Sequence, residues 1–376
     1  MAWPFAVLLF SSSACVVQSP RMPPLTENHL LSPTTLFDRP ISTEPISVQD
    51  AVDIDEDMRA FVEKTINGAR DPKIRLRRLL AGMEEVGLFS LKYTDTTTRT
   101  VRESFRGQQG NCLSFTMLFV ALAREAGLKV NYQMVDIPPV WSSVSDLVVL
   151  NNHINVVIKT SFQGDYVVDF NTQEYNGDYA TREVSDDYVF ALYYSNLGTE
   201  ALIDQDYETS FAYLRESLRL APEIPGSWAN LGLLYSRRGR YEQAESAYLK
   251  ALQENPRDGS TLTNLVALYT IVGNETLAET YRKEIGRYQR RNPYYHYTLA
   301  QQAYREHRLN DALELLARAI RLKHDEHQFH FLQGLVYLDL GQKVDARYSF
   351  IEARENASGD EIKHAYEAKI ETLASR

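Results

Sequence analysis

A 34-residue period runs through the second half of the sequence and limits its fold more than any other property. Trp228, Leu231, Gly232 and Tyr235 open one unit, and Ala244, Tyr248, Ala251 and Pro256 complete it. One period earlier, Tyr194, Leu197, Gly198, Ala201 and Pro222 fall in the same places. Later units place Leu265, Tyr269 and Ala278, then Leu299, Ala303, Ala312, Leu316 and Ala319, then Gly334, Tyr337, Ala346, Phe350 and Ala353. Five units run in phase without an insertion. Such a chain stacks repeated helix pairs: small residues stand where the two helices of a pair meet, and large ones fill the seam to the next pair.

The pattern resembles the tetratricopeptide repeat, W-x2-L-G-x2-Y…A-x3-F…P. The resemblance implies an all-α solenoid of five repeats, at 191–224, 225–258, 259–292, 293–326 and 327–358, with a capping helix over 359–376. It also implies a module that binds a protein or peptide and carries no chemistry itself. In that family certain first-helix positions face the groove. Tyr294, Tyr297, Tyr304 and Arg305 hold them here, and a tyrosine-rich groove suits an extended peptide. Ordinary packing between helices is the other reading of those side chains. His324, His327 and His330 fall three apart across a repeat boundary, which reads as repeat packing rather than a metal site. No cofactor and no metal is implied.

The first fifteen residues, MAWPFAVLLFSSSAC, place an apolar run before small residues, the order of a secretory signal. Ser12-Ser13-Ala14-Cys15 resembles a bacterial lipoprotein cleavage box. That resemblance implies a lipid on Cys15, a membrane anchor, and a place in the periplasm or cell envelope. Because Val16 and not Asp follows the cysteine, it implies an outer-membrane lipoprotein. Residues 16–45 hold Pro20, Pro23, Pro24, Pro33, Pro40 and Pro45 among many Ser and Thr, a composition that reads as a disordered tether. The net charge is −10 with pI near 5.4, and there is no long basic run, which excludes a general nucleic-acid surface.

Residues 46–190 form the remaining unit, and they contain one cysteine, Cys112, and one histidine, His153. Cys112 follows Gly110-Asn111 and opens an apolar helical pattern that Gly127 stops. A thiol at a helix start has its thiolate stabilised by the helix dipole and by unpaired N–H groups, and the same N–H groups could hold an oxyanion. His153 opens a stretch that alternates like a half-buried strand, with His153, Asn155 and Val157 on one face. Tyr166-Val-Val-Asp169-Phe170 reads as the next strand. The hairpin register that sets His153 directly across from Asp169 allows a hydrogen bond between them. Gln108 and Gln109 are oxyanion candidates, and Arg75, Arg77 and Arg78 read as a solvated helix face.

The segments GNCLSFTMLFVALAREAGL, NNHINVVI and YVVDFN resemble the nucleophile helix and the His and Asp strands of the transglutaminase-like superfamily, over roughly Asp71 to Tyr179. The resemblance implies an α+β, papain-like fold. It implies Cys112 as nucleophile, His153 as base and acid, and Asp169 as the group orienting the imidazole. The implied function is cysteine-dependent acyl transfer or hydrolysis at a protein or peptide amide, with the repeats docking substrate or partner. The alternative is a non-catalytic adaptor that keeps the domain as a scaffold. Asn155, where the family has an aromatic residue, favours that alternative.

Overall fold

Polar caps set most helix starts in the first half of the chain. Thr26, Ser47, Asp55, Asp71, Thr100 and Asn111 each accept a backbone N–H of the following turn, satisfying donors that a helix start leaves unpaired. The computed structural model describes residues 25–88, 92–93, 97–135, 153–159, 165–170, 180–357 and 360–374. The expected signal sequence over 1–15, with Cys15, lies outside the described residues.

Three short helices come first, α1 (Glu27–Leu30), α2 (Pro33–Phe37) and α3 (Val48–Val52). The tether expected over 16–45 is corrected for its described part. Leu30 and Leu36 are fully buried in one apolar cluster with Phe211, Leu214 and Tyr235 of the repeats. The Tyr235 hydroxyl donates to the Leu30 carbonyl at 2.7 Å, and Lys250 pairs with Glu27 at 2.9 Å. The composition misled because Pro33 is not a spacer: it opens α2, a position where its missing N–H costs nothing.

The α+β part follows, with α4 (Glu56–Ile66), α5 (Pro72–Glu85), α6 (Val101–Gly107) and α7 (Cys112–Glu125). A short parallel pair, β1 (Lys92–Tyr93) with β2 (Gln109–Gly110), precedes α7. A four-stranded antiparallel sheet runs β5 (Tyr166–Val168), β4 (His153–Ile158), β3 (Val130–Val135), β6 (Thr181–Val184). Every residue of α7 from Leu113 to Val120 is buried, so it is a core helix against the sheet. All six residues of β4 are buried too, where a half-buried strand was expected. β4 is an interior strand, and α7 packs on it. Arg75 is not solvated as expected: its guanidinium donates to the carbonyls of Ala69 and Ala126, at 2.6 and 2.9 Å, and so ties α5 to the end of α7.

The second half is a run of antiparallel helix pairs: α8 (Asp186–Ile203) with α9 (Tyr207–Leu220), α10 (Pro225–Arg237) with α11 (Tyr241–Glu254), α12 (Gly259–Ile271) with α13 (Glu275–Arg291), α14 (Pro293–Arg305) with α15 (Leu309–Leu322), and α16 (His327–Asp339) with α17 (Lys343–Asn356). α18 (Asp360–Ala374) packs on the last pair, with Tyr366 stacked on Phe331. The first pair starts earlier than 191, because Ser185 caps α8 at Tyr188. Tyr188 to Tyr194 of α8 are buried in the same cluster as α7 and the sheet. The first helix of the array is thus also a wall of the α+β core.

Candidate functional site

Local sequence fixes Cys112 at the first turn of α7. Asn111 caps the helix, its Oδ1 accepting from the Ser114 N–H and Ser114 hydroxyl, both at 2.9 Å. Gly110 permits the close approach: a Cβ there would lie 2.9 Å from Ser114 Cβ, at a φ of +157°. The Cys112 thiol donates to the Ile154 carbonyl at 3.5 Å, and Thr116 one turn on donates to the same oxygen at 3.4 Å. The cysteine therefore sits against the backbone of β4 next to His153.

His153 Nε2 and Asp169 Oδ2 are 2.6 Å apart, with the side chains only 1% and 7% exposed. Asn155 donates to the same carboxylate oxygen at 3.2 Å, and its own Oδ1 is buried without a partner. The edge of Phe170, the residue after Asp169, meets Phe119 of α7 with ring centroids 5.8 Å apart, which seats that chain end on the core helix. Nε2 is thus the imidazole nitrogen that meets the carboxylate.

The register differs from the expected one. β4 pairs Val156 with Val168 and Ile158 with Tyr166, and continuing that ladder sets Asn155, not His153, opposite Asp169. The shift is two residues, so side-chain parity is kept and His153 still shares a face with Asp169. The bond between them is diagonal, and Asn155 takes the directly opposed place.

Gln108 does not serve as an oxyanion donor. It is an exposed cap of α6 in the left-handed region (φ 48°), and its amide donates to the Val86 carbonyl at 2.7 Å. Gln109 is exposed on β2. Sequence reading missed the polar chain behind the cysteine: Thr98 Oγ1 accepts from Asn111 Nδ2 at 2.8 Å, and the Arg99 N–H donates to Ser114 at 2.9 Å. A Thr placed two residues before a capping box gave no signal for that link.

The tyrosines of the fourth repeat are largely spent on packing. The Tyr294 hydroxyl donates to Glu326 at 2.5 Å and accepts from Lys323 at 2.9 Å, while its ring meets Phe329. Burial and the bond to Glu326 push the Tyr294 hydroxyl well above its ordinary range. Tyr297 tilts on Phe329 at 4.9 Å. Tyr304 is half-buried in the same apolar cluster, and burial together with a bond to Asp339 raises its hydroxyl. Arg305 is exposed at the end of α14. The three histidines also serve packing: His330 Nε2 donates to the His324 carbonyl, and His327 meets the Tyr366 hydroxyl, each at 2.7 Å. Among the described residues no group of His, Cys, Asp and Glu could hold a metal ion.

Comparison with known families locates two matches, both described as tetratricopeptide repeat, at residues 225–258 and 297–361. The C-terminal half carries tetratricopeptide repeats. Tetratricopeptide-repeat proteins bind protein or peptide partners. Both matches lie C-terminal to the α+β elements. Among curated proteins, the chain is 24% identical over 168 residues to anaphase-promoting complex subunit 3 of Schizosaccharomyces pombe, covering 43% of this chain and 24% of that protein. It is 37% identical over 70 residues to the human protein O-mannosyl-transferase TMTC2, or 19% of this chain and 8% of that one. It is 35% identical over 81 residues to photosystem I assembly protein Ycf3 of Prochlorococcus marinus, or 21% and 46%. The chain thus spans less than half the length of the curated relatives it matches. Among solved structures, YrrB, a TPR protein with an unusual peptide-binding site, shares 17% identity at a TM-score of 0.25, over 47% of this chain and 92% of that one. PilF of Pseudomonas aeruginosa shares 15% at a TM-score of 0.27, over 50% and 94%.

Proposed function

We propose that the α+β part is a transglutaminase-like domain that carries out cysteine-dependent acyl transfer or hydrolysis, and that the tetratricopeptide repeats dock its protein or peptide substrate or a partner. The observation that carries this reading is the buried His153–Asp169 pair at 2.6 Å on the strand against which the Cys112 helix start is packed. In the proposed step the Cys112 sulfur attacks an amide carbonyl. His153 takes the thiol proton and returns it to the leaving amine, and Asp169 holds the imidazole in place. The thioester so formed then passes its acyl group to an amine or to water. N–H groups of the first turn of α7 are the oxyanion donors in this reading.

The test is labelling of the full chain with an amide-mimicking electrophile, comparing wild type with Cys112→Ala and His153→Ala. Rapid labelling that persists below about pH 7 and collapses in His153→Ala supports the enzyme. A plain-thiol pH profile that His153→Ala leaves unchanged overturns it.

A second reading, a non-catalytic adaptor, is favoured by two bonds. The Cys112 thiol already donates to the Ile154 carbonyl, and Asn155 shares the carboxylate that would orient His153. Under that reading capture of a protein partner survives Cys112→Ala. Export and lipidation at Cys15 are a further part of the proposal: Cys15→Ser releases the protein from membranes in a fractionation, and a wild type that is already soluble overturns it.

A further inference from the structure

We infer that Glu200, on the first helix of the repeat array, is a positioning residue for Cys112, acting through Thr98 and Asn111; this rests on the proposed cysteine chemistry. Glu200 Oε1 accepts the Thr98 backbone N–H at 2.8 Å. Thr98 in turn offers Oγ1 to Asn111 Nδ2 at 2.8 Å, and Asn111 Oδ1 caps the helix that begins with Cys112. Both ends of the Asn111 amide are therefore engaged, which fixes its orientation and with it the first turn of α7. Thr98 and Asn111 are 5% and 9% exposed, so none of these bonds is readily replaced by water.

The residue type points the same way. At the places corresponding to Glu200 in the following repeats stand Leu234, Leu268, Gln302 and Val336. In three of those four repeats packing at this position is served by an apolar side chain, since Leu234, Leu268 and Val336 are buried, while Gln302 is exposed. A carboxylate in the first repeat is therefore not required by the array. Its acceptor is used on the α+β side, against the segment that leads to the nucleophile helix. Burial raises the Glu200 carboxyl above its ordinary value, a cost that the Thr98 bonds and Arg99 partly offset. The neighbouring Thr199 accepts from Asn230 of the second repeat at 2.9 Å, so the link continues into the array.

The experiment measures iodoacetamide alkylation of Cys112 in the full chain, in Glu200→Leu and Glu200→Gln. Leucine is what the next two repeats carry at this place, so Glu200→Leu keeps the array packing and removes only the acceptor. The expected result is an alkylation rate about fivefold or more below wild type in Glu200→Leu with the helical melt retained, and a rate within about twofold of wild type in Glu200→Gln, which keeps an oxygen acceptor. Wild-type rates in Glu200→Leu overturn the inference, as does an equal loss in both variants. Should Glu200→Leu melt lower as a whole, Thr98→Val against Thr98→Ser reads the next step of the relay, Thr98 to Asn111, with Ser expected to retain the rate and Val to lose it, and equal rates in the two overturning the inference. If wild-type Cys112 itself behaves as a plain thiol insensitive to His153→Ala, the cysteine reading fails and this inference with it. That outcome is distinct from a reactive wild type indifferent to Glu200.

Discussion

A single position in the repeat decides how close its two helices come. A Cβ on Gly232 would stand 2.6 Å from the Tyr248 ring, and one on Gly334 2.5 Å from Phe350. In the fourth repeat the same place is Ala300, opposite Leu316. In the second and fifth repeats the facing residue is an aromatic ring, which cannot bend aside, and in the first a Cβ on Gly198 would stand 2.8 Å from Leu214. Gly232→Ala is expected to destabilise the chain by about 1–3 kcal/mol in a denaturant melt, in spite of alanine's better helix propensity. A neutral or stabilising result would mean the helices can part without loss. A second residue-scale device recurs in the second, fourth and fifth repeats, while the third carries Leu262 at that place. Trp228 Nε1 donates to the Pro222 carbonyl, His296 Nε2 to Arg290 and His330 Nε2 to His324, each six residues back. The ring N–H closes the entry to these three pairs, and because the acceptor is a carbonyl the histidines carry their proton on Nε2. His330 was legible as a packing residue, but its acceptor was not, since it belongs to backbone that only the fold brings near. Glu200 allows a pH prediction. Its folded carboxyl binds protons more tightly than the unfolded one, so between the ordinary value of 4.5 and the raised folded value the folded state holds more protons. Stability then falls as pH rises through that window. Glu200→Gln is expected to flatten this decline in melts taken from acid to neutral pH, and an unchanged slope would refute it.

Among the helices, α13 is the weak one. Where other pairs bury Tyr248, Leu316 or Phe350, the third carries Arg282. Where they bury Ala251, Ala319 or Ala353, it carries a half-buried Ile285. Val266 stands opposite, in place of the glycine or alanine. Ala278 is the one fully buried residue of α13, and Ile271 and Val272 at the end of α12 are 59% and 46% exposed. The guanidinium of Arg282 is instead held outside by Glu275 and Glu279, bonds that raise it further above its ordinary value. Few apolar contacts mean a low cost of local opening. Amides of α13 are therefore expected to exchange faster than those of α11 and α17, by about tenfold or more, in a hydrogen-exchange time course. Equal protection along the array would contradict this. The repeat period and its phase could be read from the sequence because small and large residues recur at fixed places. The N-terminal helices could not, because Leu30 and Leu36 sit in a Pro- and Ser-rich setting and find their partners some two hundred residues away. The β4–β5 register was legible only in parity: alternation fixes which face His153 and Asp169 share, but not the two-residue alignment along the strands.

Over the whole molecule, the apolar clusters divide the chain at a different place from the sequence. The repeat phase begins the array at residue 191 as a unit apart, yet Tyr188, Leu192, Tyr193 and Tyr194 of α8 are buried with α7 and the sheet. The Tyr194 hydroxyl also donates to the Ile46 carbonyl at 2.7 Å. The second cluster runs from the N-terminal helices through α9 to α13, and a third begins at Ala300 of α14. The weak joint therefore lies between α13 and α14, which a single residue, Asn292, connects. Asn292 accepts from the N–H groups of Tyr294 and Tyr295, so a chain starting there keeps its own helix cap. A fragment of residues 292–374 is expected to be helical and to unfold cooperatively, because the clusters of α14 to α18 are complete within it. A fragment beginning at 186 would instead expose the aromatic face of α8 and lose Leu30 and Leu36, which cover Phe211, Leu214 and Tyr235. It is expected to aggregate or to melt well below the full chain. Circular dichroism melts of the two fragments beside the full chain decide between these boundaries. A stable 186–374 with an unfolded 292–374 would mean that stacking between neighbouring repeats, and not the α+β core, holds α8 in place.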